Sequence, residues 1–165
     1  MNSKHDRRPA GRNGLQIGLL LLAVTSISSG LWALFLPRPF YEDFPLPDWN
    51  WVSTLGPYNE HLVSDYGALN LALGVMMVGA AVFLERRLVQ VSLISWLVYA
   101  VPHLVFHLGQ IHHFSPFDNL AQISALGFVV LLPLVLLFLT NAALQEGKRA
   151  SQKDADPRTG ERSVS

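Results

Sequence analysis

Four of the six histidines fall within PHLVFHLGQIHH, Pro102 to His113, at the end of a long apolar run. His103 and His107 are spaced i, i+4. So are His61 and Asp65 in GPYNEHLVSDYGALN, and Asp118 and Gln122 in SPFDNLAQIS. On a helix, each such pair shares a face. Neutral imidazoles and a carboxylate arriving from separate helices suit Fe, Zn, Cu(II) or Mn, so His61, Asp65, His103 and His107 are the expected ligands of a divalent metal ion. Two histidines, Asp65 and open positions would resemble the facial arrangement of non-haem Fe(II) oxygenases. Glu60, Asp118 and His113 are candidate outer partners that orient those ligands. Tyr58, Trp96, Tyr99 and Gln110 lie on or beside the same stripes and are expected to line a cavity there.

The same residues admit other chemistry. A buried hydrogen-bonded network pinning three helices together needs no ion, and each interhelical bond contributes roughly 0.6–2 kcal/mol. A protonatable cluster in a quinone or lipid pocket, and haem held by histidine, complete the alternatives in descending order. The spacing is neither the H-E-x-x-H zincin signature nor the Glu-x-x-His pattern of di-iron bundles. His112 and His113 fall out of phase with His103 and belong at the membrane interface. Asn59 and Glu60 read as a helix cap and an acidic first turn, and Asp118 fits the start of a further helix. Asn70 faces away from His61, toward a bond with another helix.

The elements that must position these residues are long and apolar. Residues 15–36, 60–84, 88–114 and 119–144 are nearly free of charge, and each exceeds or approaches the ~20 residues needed to cross a hydrocarbon core. The expected fold is an all-α integral membrane four-helix bundle over residues 15–144. The first run is longer than a secretory signal's apolar region and shows no clear A-x-A site, so it reads as a retained span. Small residues along the second (Gly67, Ala68, Ala72, Gly74, Gly79, Ala80, Ala81) allow close helix approach. Pro102 removes a hydrogen bond to Val98 next to His103, and a kink there would open a pocket.

Orientation follows from the basic residues. Residues 1–14 form a basic leader, Arg86 and Arg87 separate the second and third spans, and Lys148, Arg149, Lys153, Arg158 and Arg162 follow the fourth; Arg38 alone lies on the opposite side. The positive-inside rule places both termini in the cytoplasm of a multi-pass cell-membrane protein. The loop at residues 37–59 is then extracytoplasmic, with its prolines arguing against regular structure and Trp49 and Trp51 suited to the interface. Residues 145–165 are polar and mixed in charge, the composition of a disordered tail. Hydrophobic residues make up 50% of the chain, net charge is zero and cysteine is absent, which excludes disulfides and thiolate ligation. No nucleic-acid motif is present.

The run Tyr58-Asn59-Glu60-His61, followed by Asp65-Tyr66-Gly67 and by Pro102-His103 with His107, resembles small four-helix membrane proteins of actinobacterial type, loosely DoxX-like. The likeness covers about Phe40 to Leu137 and implies a four-helix membrane bundle. DoxX-like proteins are associated with quinone-linked sulfur oxidation, and related-looking anthrone-oxygenase-like enzymes make oxidative chemistry an analogy. The function expected is a metal-binding membrane protein, with an oxidoreductase acting on a lipophilic small molecule or quinone as its catalytic form. A non-catalytic assembly subunit, with a membrane protein partner or a second copy of the chain, is the other class.

Overall fold

A computed structural model describes the backbone of residues 10–155 and the side chains of residues 11–140. The first part of the basic leader and the tail beyond Ala155 lie outside the described residues. Five α-helices follow in order: α1 (Ala10–Phe35), α2 (Pro37–Asp43), α3 (Glu60–Phe83), α4 (Arg86–Gly109) and α5 (Pro116–Ala155), with 3-10 turns at Ser53–Leu55 and Ile111–His113. Four of them, α1, α3, α4 and α5, are long and apolar enough to cross a membrane. They form an all-α integral membrane bundle. Large apolar side chains cover its outside, among them Phe138 at 83% and Val98 at 71% exposure. So much exposed apolar surface is matched by lipid, not water.

The tightest seam joins the antiparallel helices α1 and α3. A Cβ on Gly67 would stand 2.5 Å from the backbone nitrogen of Leu34, and one on Gly30 would stand 2.8 Å from that of Leu71. Only glycine lets the two backbones meet this closely. At the same seam the Ser26 hydroxyl donates to the Asn70 carbonyl oxygen at 2.6 Å. Ala68 and Ala72, also small, face outward and take no part.

Away from the loops, the bundle is solid. Leu15, Leu19 and Leu22 of α1, Met77 of α3, and Val89 and Leu93 of α4 are all fully buried in one cluster. Pro102 and Pro133 lie inside α4 and α5 without ending them.

Two expectations about the connections are corrected. The loop at residues 37–59 contains α2 and a 3-10 turn, because Pro37 occupies the first turn of α2, where its missing N–H breaks no helical bond and its φ is preset. Phe40 on that helix is buried against Trp32, Phe44 and Tyr66, which holds α2 down on the bundle. The stretch read as a disordered tail begins as helix, since α5 continues past Leu144 to Ala155. Apolar periodicity stops at the tail, but Ala, Glu, Gln, Lys and Arg are good helix formers and carry the backbone pattern on.

Candidate functional site

At the loop end the four long helices part around a half-open cavity of about 840 Å³. Leu62, Val63, Tyr66 and Asn70 reach it from the first half of α3, Trp96 from the middle of α4, and Tyr99, Ala100, His103 and His107 from its second half. Gln122, Ala125, Leu126 and Val129 of α5 form another wall, and Thr25, Ser26, Ser29 and Trp32 of α1 close the ring. The roof is the segment from α2 to Pro57, including Phe40, Phe44, Trp51 and Leu55.

The roof is fastened at both sides. Trp51 Nε1 donates to Asp118 Oδ1 at 3.1 Å, and the Tyr41 hydroxyl donates to the Gly56 carbonyl oxygen at 2.6 Å. Asp118 stands at the third position of α5. The Ser115 hydroxyl donates to its Oδ2 at 2.6 Å and accepts from its backbone N–H at 3.1 Å. Ser115 thus caps the start of α5, and the Asp118 carboxylate has spare lone pairs for the Trp51 tether. On α2, Arg38 bonds Glu42 at 2.6 Å and lies over the Tyr58 ring at 4.9 Å. The Glu42 carboxylate raises the Arg38 guanidinium above its ordinary pKa, first by hydrogen bonding and then by charge.

Inside, the polar groups fall into two sets. Asn70 is buried at 3% exposure and ties three helices: its carbonyl accepts from Ser26, and its Nδ2 donates to the Tyr66 carbonyl at 3.0 Å and to the Tyr99 hydroxyl at 3.4 Å. That set is satisfied. The other comprises His103, His107 and Gln122. His107 Nδ1 lies 2.7 Å from Gln122 Oε1. A carboxamide oxygen only accepts, so Nδ1 carries the proton and Nε2 of the neutral ring keeps its lone pair. Gln122 Nε2 is buried without a partner. The His103 ring stacks on Tyr99 at 5.5 Å and meets His107 edge-on at 4.8 Å. Trp96, by contrast, spends its N–H on the Val129 carbonyl at 2.8 Å.

The structure brings together only half of the expected ligand set. His103 and His107 line the cavity, with Trp96 and Tyr99 beside them as expected. His61 and Asp65 do not. They pair with each other at 3.3 Å on the outer face of α3, their side chains 87% and 64% exposed. The reason is rotational: the face of α3 carrying Gly67, Asn70 and Gly74 is taken by α1, and His61 lies about 180° around the helix from Asn70. Among the described residues, no group of three or more His, Cys, Asp and Glu side chains is placed to share an ion. Tyr58 lies outside the cavity against Tyr41 and Arg38, and Gln110 caps the end of α4. Glu60 is exposed in the first turn of α3, whose N-cap is Asn59, accepting from the Leu62 N–H at 3.1 Å. His112 and His113 are exposed on their turn.

Sequence reasoning passed over Tyr66 and Trp51. Tyr66 was signalled by its i, i+4 relation to Asn70, which puts both on one face. Nothing in a proline-rich loop signals that Trp51 folds back to α5.

The fold and this hollow define a helical membrane protein with a half-open, aromatic-walled cavity. No family model, curated protein or solved structure matches the chain.

Proposed function

We propose that this chain is a multi-pass protein of the cell membrane that binds a lipophilic small molecule, with both termini cytoplasmic and the cavity in the outer half of the bilayer. The observation that carries the reading is the 840 Å³ cavity, apolar and aromatic over most of its wall, with His103, His107 and Gln122 gathered on one side. Ligand sites have this size and this make-up: greasy walls and a few convergent polar groups. Ionisable side chains at such depth mark function more often than packing. The orientation is supported by the basic residues, which put the loop end outside.

The cavity offers a metal ion only two imidazoles and no carboxylate, fewer protein ligands than the three or four of ordinary zinc sites. Lipophile binding therefore takes precedence here over the metal centre. The reading of the histidines as a hydrogen-bonded network draws support from the His107–Gln122 bond between α4 and α5; Ser26, Asn70 and Tyr99 form a separate network within the fold.

Three tryptophans, Trp32, Trp51 and Trp96, line the cavity and report on its occupancy. In nanodiscs, bromododecane is expected to quench tryptophan emission with a saturable, stoichiometric component. Ala100→Phe, which fills the hollow, is expected to abolish that component. Quenching that only rises in proportion to the probe in the bilayer, and is equal in the two proteins, would overturn the proposal.

A further inference from the structure

The cavity wall also constrains the head of its ligand. No Asp, Glu, Lys or Arg is among its lining residues. A phosphate, carboxylate or ammonium group entering it would lose its hydration and meet no permanently charged partner, only the two imidazoles, at a cost of several kcal/mol. Aromatic rings could hold a quaternary ammonium, but the phosphate of a zwitterionic lipid would follow it in without a cationic partner. The head is therefore uncharged.

It is also not a bare hydrocarbon. His103 and His107 are half-buried and line the hollow, whereas Gln122, whose Nε2 has no partner and almost no accessible surface, serves only to hold His107 through its carboxamide. His107, held through Nδ1 by Gln122, keeps Nε2 as an acceptor. This end of the cavity therefore presents the ring nitrogens of two imidazoles, which can donate to and accept from a carbonyl or hydroxyl oxygen. Flatness is set by its neighbours: the Tyr99 and His103 rings lie within 17° of parallel, and the Phe40 and Tyr66 rings within 34°. Planar faces of this kind favour a planar ring by offset stacking. Leu62 and Phe106 line the cavity yet are 67% and 51% exposed, so an alkyl tail has a way out to lipid beside them.

We infer that the cavity takes an uncharged amphiphile with a planar, oxygen-bearing ring, of the quinone or phenol class, its oxygen at the His103–His107–Gln122 end and its ring among the aromatic side chains. The inference rests on the reading of the hollow as a lipophile site and adds the chemistry of the head.

Native mass spectrometry of the full chain in detergent, titrated separately with decyl-benzoquinone, decylphenol, decylbenzene, decanoate and decylphosphocholine, tests it. At least one of the two oxygenated rings is expected to bind about tenfold more tightly than the other three probes, the equivalent of one or two hydrogen bonds. The stronger of the two identifies whether a carbonyl or a hydroxyl is preferred. His107→Phe and His103→Phe are each expected to lower that affinity about tenfold while leaving decylbenzene binding unchanged, so the decylbenzene arm also shows that each variant is folded. Equal binding of decylbenzene and the oxygenated rings would overturn the inference and leave the lipophile site standing. Equal or tighter binding of decanoate or decylphosphocholine would overturn the argument from charge. Ring affinity undiminished in both variants would overturn the placement of the oxygen. Failure of every probe to bind would overturn the lipophile reading itself.

Discussion

The two ends of the bundle are built from the same four helices and packed in opposite ways. Away from the loops, leucines from α1 and α4 interlock with Met77 of α3 until nothing remains exposed. At the loop end, the helices carry rings and polar groups that do not fill the space between them, and the segment from α2 to Pro57 roofs a hollow. Unbranched and branched aliphatics close-pack between helices, whereas Trp32, Trp96, Tyr66 and Tyr99 hold neighbouring backbones apart unless small residues face them. Stability thus concentrates in one end and binding in the other.

Both ends can be probed by substitution, and the largest effect belongs to the solid one. Leu22→Ala leaves a void at a position of 0% exposure and is expected to destabilise by about 2–5 kcal/mol, read as a lower unfolding midpoint in detergent. Gly67→Val comes next, at about 1–3 kcal/mol: its side chain meets the Leu34 backbone at the α1–α3 seam, where nothing flexible can yield. If Gly67→Val unfolds no more readily than the parent, the seam is not the hinge of the fold.

At the loop end, His107→Ala removes the partner of Gln122 and leaves a second buried polar atom unmet, a loss of about 1–3 kcal/mol. His61→Ala, in a pair with the same sequence spacing, is expected to leave the midpoint unchanged because its side chain is 87% exposed. Equal effects of the two would contradict the placement of one pair inside and the other outside. A comparably small change in stability is expected for Ala125→Leu, which adds bulk where there is room. A near-neutral midpoint together with lost bromododecane saturation would sharpen the division; a fall as large as that of Leu22→Ala would erase it.

Much of this was legible in the chain. The four spans, the Asn59 cap, the N-terminal position of Asp118 on its helix and the inward stripe Tyr99, His103, His107 follow from apolar length and i, i+4 spacing, and the structure shows each of them. His61 and Asp65 illustrate the limit. Spacing says that two residues share a face; it does not say which face the neighbour takes. On α3 two stripes competed, Ala68 and Ala72 with His61 against Gly67 and Gly74 with Asn70. The second prevails because backbone contact requires glycine and a buried carboxamide requires partners, both of which α1 supplies through Gly30, Leu34 and Ser26.

The loop shows the same division. Its prolines were visible, but their effect depends on position within a helix: Pro37 in the first turn starts α2 where an interior proline would break it. The fold of Trp51 onto Asp118 joins residues 67 apart in the chain, across α3 and α4, and has no local signature.

By itself, then, the sequence determined the class of protein, the number of spans and the residues able to do chemistry, since these depend on composition and on period along one helix. The rotation of α3, the separation of the two histidine pairs and the existence of the cavity were decided only by tertiary structure. Each depends on which surfaces of different helices come into contact, and that is settled by packing between residues distant in the chain.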